Sequence, residues 1–137
     1  MKHIEFYNGH EMPMLGFGTF ELTDHETCKH AVKTAILNGY RHIDTATRYG
    51  NEQAVGEGIQ EALQESDLTR EDLFVTSKLW LTDYGRGNVE AAYIDSLKKL
   101  GLDYLDLYLM HWPGTDEAVM VDTWHGMEDL YKDTNVR

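Results

Sequence analysis

The chain has 137 residues, 42% of them hydrophobic, which suits one ordinary domain with a moderate core and argues against disorder. With 24 acidic against 12 basic residues, its formal net charge of -12 argues against a phosphate backbone or an anionic membrane as the main partner, and makes any anionic cofactor site a local exception. The single cysteine, Cys28, forms no internal disulfide, no ligand spacing suggests a metal, and no run approaches the length that crosses a bilayer. A soluble protein of a reducing, cytoplasmic compartment is the expectation.

In chain order, "HIEFYNGHEM" places Ile4 and Phe6 at a period of two before Asn8-Gly9, a dipeptide that tolerates positive φ at both turn positions, so a β-hairpin is predicted. A short apolar run, a polar loop and a helical segment then repeat four times. "MLGFGTF" leads to a helix capped by Asp24, with Ala31, Val32, Ala35 and Ile36 at core spacing and Gly39 as its stop. "YRHIDT" leads to a helix after Asn51 that buries Val55, Ile59, Ala62 and Leu63, followed by a capping box at Thr69 and Asp72. "DLFVTSK" leads to a helix from Asn88 with Val89, Ala92, Tyr93, Ser96 and Leu97 on one face, ended by Gly101. "YLDLYLMHW" stops at Pro113, and the last helix presents Trp124, Met127, Leu130 and Tyr131.

That alternation predicts an α/β fold with parallel strands, either an open doubly wound sheet or a closed (β/α)8 barrel. The strand ends favour the barrel. Asp44, Lys78 and His111 close three successive runs at the same end, as residues around a shared mouth would. Side chains alternate along a strand, so Lys78 shares a face with Thr76 and Phe74, and His111 with Leu109, Leu107 and Leu105. His42 shares the face of Asp44 and is expected to hydrogen-bond in the interior. His3, His10, His25, His30 and His125 read as surface residues, and Cys28, Met110, Met120 and Met127 as packing.

Together the hairpin, "GFGTF", "GYRHIDTATRYGNE", "FVTSKLW" and "LDLYLMHWP" resemble the N-terminal half of an aldo-keto reductase, across essentially the whole chain. The resemblance implies a (β/α)8 barrel of the TIM type, of which residues 1–137 are the first four βα units behind an N-terminal hairpin. It implies NADPH as cofactor, with NADH possible, and reduction of an aldehyde or ketone to an alcohol. It places the catalytic tetrad on Asp44, Tyr49, Lys78 and His111. Gly18 and Thr19 fall beside the nicotinamide, with Asp44 also at its ribose. Phe20, Trp80 and Trp112 resemble the apolar substrate walls, and Arg48 is expected to help an anionic or polar substrate bind.

The residue types suit that chemistry. Hydride arriving at a carbonyl carbon leaves negative charge on oxygen, and a phenol within hydrogen-bond reach can supply the proton. A phenol ordinarily titrates near pH 10. An ammonium about 4 Å away favours its phenolate by about 4 kcal/mol at an effective dielectric of 20. Asp44 would keep Lys78 charged and oriented, and His111 would steer the carbonyl oxygen.

A complete barrel takes roughly 250 residues. The exposed inward face is therefore expected to be covered by the rest of a longer chain, by a complementing half-barrel or by a second copy. Two other readings of the residues stay open: a non-catalytic half-barrel serving as an interaction module, and an aldolase-like barrel with Lys78 as Schiff-base nucleophile.

Overall fold

The computed structural model describes residues 1–137. Strands β1 (His3–Glu5) and β2 (Glu11–Pro13) pair antiparallel, with Ile4 opposite Met12, as the expected hairpin. The turn corrects one detail. Of the Asn8-Gly9 pair only the glycine has a positive φ, 82°. Gly9 N–H donates to Phe6 O at 2.9 Å and Phe6 N–H to His10 O at 2.8 Å, so the loop has three residues with glycine at the left-handed position. Asn8 contributes through its side chain, which accepts from His10 N–H at 3.2 Å and donates to the Tyr131 hydroxyl at 3.2 Å.

Four parallel strands follow: β3 (Phe17–Gly18), β4 (His42–Asp44), β5 (Phe74–Leu79) and β6 (Leu107–Met110). Their order in the sheet is their order in the chain. A doubly wound sheet reverses direction at a switch point, whereas this one advances a strand at a time, as a barrel wall does. Helices α1 (His25–Leu37), α2 (Glu52–Gln64) and α3 (Val89–Leu100) make the crossovers, and α4 (Glu117–Asp133) follows β6. None is long and apolar enough to cross a membrane. At the far end Arg137 N–H donates to Leu105 O at 3.3 Å, continuing along the free edge of β6.

The two faces of the sheet differ as alternation requires. Ile43, Val75 and Leu79 point into the helical layer and are fully buried, together with Val32, Ile36, Val55 and Leu105. The other face carries His42 and Asp44, then Phe74, Thr76 and Lys78, then Leu107 and Leu109, in register across the strands. The hairpin closes one end of that face: Phe6 meets Phe74 edge-on at 6.3 Å, and His42 reaches back to Pro13 O. Towards the strand ends the face opens, and Leu109 is 38% exposed.

Sequence signals for the helices mostly hold. The Asp24 carboxylate accepts from Thr27 N–H at 2.9 Å, and the Thr69–Asp72 capping box forms around a short 3-10 turn. Two residues of α4 depart from expectation. Trp124 and Tyr131 are 57% and 43% exposed, and the buried lane is Thr123, Gly126, Met127 and Leu130. Small residues win that lane because α4 approaches closely: a Cβ on Gly126 would lie 2.7 Å from a Val89 methyl and 2.9 Å from Arg86 O. Helix α2 is tighter still. A Cβ on Gly56 would sit 2.1 Å from Leu100 O on α3, and one on Gly58 would sit 2.5 Å from Lys29 O on α1.

His42 is the interior hydrogen-bonding residue expected of it. Pro13 O can only accept, so Nδ1 donates to it at 3.3 Å and Nε2 accepts from the Thr76 hydroxyl at 3.0 Å. Burial lowers the proton affinity of this imidazole below the ordinary histidine value. The folded chain then binds fewer protons than the unfolded one, so stability falls as pH drops from about 6.5 through the lower folded value. Urea midpoints taken between about pH 7.5 and about pH 5.5 should fall with acidification, and His42→Asn should flatten the decline. An unchanged slope in that variant would remove His42 as the cause.

Candidate active site

The carboxyl ends of the strands bring the four predicted residues together. Asp44 ends β4, Lys78 lies one residue from the end of β5, His111 follows β6, and Tyr49 sits on a 3-10 turn, Thr47–Tyr49, just beyond β4. Lys78 is the hub. Its ammonium donates to Asp44 Oδ1 at 2.6 Å, to Thr45 O at 2.9 Å and to the Tyr49 hydroxyl oxygen at 3.2 Å. All three N–H groups are therefore engaged, one with a carboxylate. A Schiff-base lysine needs a free amine, so this geometry favours a fixed cation over a nucleophile. Because the phenol oxygen accepts from Lys78, its own proton is free for another acceptor.

His111 stands edge-on to Tyr49 with ring centroids 5.6 Å apart. Its Nδ1 is buried with no hydrogen-bond partner. Burial, with the positive charges of Lys78 and Arg48 outweighing Asp44, lowers its proton affinity, so the ring is neutral at physiological pH. A neutral imidazole can still donate one hydrogen bond to a carbonyl oxygen.

Aromatic rings frame this centre. Phe20 lies 5.2 Å from Tyr49 and is 66% exposed. Trp80 meets His111 at 5.2 Å and Trp112 at 4.8 Å, and the Arg48 guanidinium lies 5.5 Å from the Trp80 ring centroid. The four residues predicted for substrate thus border Tyr49 and His111. Of those predicted for cofactor, Gly18 opens onto free space, with nothing within 4 Å of an added Cβ. Asp44 Oδ1 is taken by Lys78, while no hydrogen bond engages its other oxygen. Thr19 is fully buried: its N–H and hydroxyl both donate to Asp44 O, and its own carbonyl accepts from Asn51. Its side chain holds the end of β4.

Residues 14–137 match the aldo/keto reductase family. The chain belongs to that family. It is 51% identical over 131 residues to the uncharacterized oxidoreductase YtbE of Bacillus subtilis (strain 168), covering 96% of this chain and 46% of that relative. It is 49% identical to the glyoxal reductase of the same organism, covering 98% of this chain and 46% of the relative. The crystal structure of the Bombyx mori aldo-keto reductase AKR2E4 in complex with NADP superimposes with a TM-score of 0.87 at 42% identity, covering 96% of this chain and 47% of that one. The chain spans about half the length of the curated relatives it matches, and its four βα units form part of an aldo/keto reductase (β/α)8 barrel.

Several residues that support this cluster escaped the sequence reading. Thr45 offers the backbone oxygen that Lys78 binds, and its hydroxyl donates to Asn51 Oδ1 at 2.9 Å. The Asn51 amide donates to Thr19 O at 2.8 Å and Leu22 O at 3.2 Å, tying the Phe20 turn to the Tyr49 turn. Behind β5 the buried Glu52 accepts from the Ser77 hydroxyl at 2.9 Å, and burial raises its pKa despite its serine partners. The Tyr84 hydroxyl donates to Trp112 O and fixes the backbone at that wall. The adjacent "NE" after Tyr49 was the available signal: two polar residues opening an amphipathic helix on its buried side.

Proposed function

We propose that the protein is a nicotinamide-dependent carbonyl reductase, with residues 1–137 supplying the tetrad-bearing half of one barrel domain. Tyr49 donates the proton to the carbonyl oxygen. The three-way Lys78 contact carries this reading, because it sets an ammonium 3.2 Å from the phenol oxygen that becomes negative on proton donation. Asp44 holds that ammonium in place, and His111 donates a hydrogen bond that orients the carbonyl. Phe20, Trp80 and Trp112 exclude water and grip the carbon skeleton, with Arg48 beside them.

The residues present fit a nicotinamide cofactor. Space at Gly18 admits a flat ring against the backbone, and the unengaged Asp44 oxygen can accept from a ribose hydroxyl, with Thr19 holding Asp44 from behind. The NADP complex of the Bombyx mori relative supports NADPH, with NADH as the other candidate. When bound, the reduced cofactor supplies the hydride. Small aldehydes and ketones are the substrate class, a reading supported by the relatives named for glyoxal and methylglyoxal reduction.

The full-length protein should consume NADPH in the presence of methylglyoxal, seen as loss of nicotinamide absorbance, with the matching alcohol as product. A protein that neither binds nor oxidises NADPH or NADH would instead be a non-catalytic barrel, and the reductase reading would fall.

A further inference from the structure

Five arginines occur in the chain, and four have clear partners. Arg41 donates to Ile36 O and Tyr40 O, Arg70 pairs with Asp106, Arg86 with Asp129, and Arg137 with Glu71. Arg48 alone makes no hydrogen bond and no ion pair, although 24 acidic residues are available. Its side chain is exposed on the turn that carries Tyr49, with the guanidinium over Trp80. Trp80 in turn meets His111, so one indole links the free cation to the carbonyl-orienting end of the site.

We propose that Arg48 recognises a substrate carboxylate, and that the preferred substrates are oxo acids in which a short carbon chain separates the aldehyde or ketone from the acid. This rests on the reductase reading above. Stacking on Trp80 restricts the guanidinium without using its N–H donors, so its planar fork remains available to a carboxylate. A substrate with its carbonyl oxygen at Tyr49 and His111 extends its chain along the apolar face of Trp80 towards Arg48. Charge makes the arrangement selective. A chain of net charge -12 repels anions generally, and a cation at the rim of the cleft draws them to one place.

Matched pairs of aldehydes test the idea in the full-length protein: succinate semialdehyde against butanal, and para-carboxybenzaldehyde against benzaldehyde. With NADPH, kcat/KM should favour each acid, and Arg48→Gln should reduce the acid-to-neutral ratio about 10- to 100-fold, as loss of a charge-assisted hydrogen bond does. Arg48→Lys should retain part of the preference, and matching circular dichroism spectra guard against misfolding. Two results overturn the proposal: acids and neutrals used alike by the unsubstituted enzyme, or a ratio unchanged in Arg48→Gln, whether or not NADPH binding weakens there. Absence of turnover with all four aldehydes and with methylglyoxal would bring down the reductase reading and this proposal with it, whereas turnover of methylglyoxal but of none of the four would overturn the proposal alone. Turnover with an unaltered ratio would sink the proposal alone.

Discussion

Replacing Tyr49 with phenylalanine should lower kcat of the proposed carbonyl reduction by about 10²- to 10⁴-fold, the range a positioned general acid supplies. The substitution removes one hydroxyl and little else. Phenylalanine keeps the ring that packs against Phe20 and His111, so the shape of the mouth is preserved. Lys78 loses one of three acceptors but retains Asp44 and Thr45 O, and so stays in place. Lys78→Met is a less clean experiment, since it strips the counter-ion from Asp44 and mixes destabilisation with lost catalysis. Stopped-flow single turnovers with prebound NADPH separate the chemical step from cofactor release. Retention of more than about a tenth of the single-turnover rate would mean that another group delivers the proton.

The largest expected effect on stability comes from Gly56→Ala. The added methyl would fall 2.1 Å from Leu100 O and 2.5 Å from Leu100 C, both backbone atoms at the end of α3. No rotamer change can relieve that overlap, so α2 must move away from α3 and surrender part of the core around Val55, Ile59 and Leu100. Alanine gains about 1 kcal/mol in helix propensity, yet overpacking against rigid backbone costs about 3 kcal/mol or more, and the net change is a loss. Gly87 is the control: it has ordinary φ and no atom within 4 Å of an added Cβ, so Gly87→Ala should change stability by less than about 0.5 kcal/mol. Urea unfolding of the two variants decides. Equal midpoints would show that the α2–α3 contact is looser than its spacing indicates.

Local signals in the sequence were legible, and distant partnerships were not. Alternation located every strand, and Asp44, Lys78 and His111 at successive strand ends pointed to a common mouth. Periodicity alone left barrel and doubly wound sheet open; the shared mouth and the family resemblance favoured the barrel, and the strand order agrees with it. On α4 a hydrophobic stripe drew attention to Trp124 and Tyr131, one position away from the lane that is buried. Size misled there, because close helix packing selects Thr123 and Gly126 over large apolar residues. The partners of Asn51 and Glu52 were unreadable for another reason: Thr19, Leu22 and Ser77 lie 25 to 32 positions away. Nothing local showed that Thr19 donates both its N–H and its hydroxyl to Asp44 O.

The progression of the sheet from β3 to β6 also bears on how the chain acquires its shape during synthesis. Each new strand lies beside the one made just before it, so every βα unit can dock as it leaves the ribosome without waiting for a distant segment. Lys78 meets Asp44 and Tyr49 as soon as the third unit is complete, and His111 joins with the fourth. The four predicted residues can therefore come together at the growing edge of the wall as soon as the fourth strand is in place.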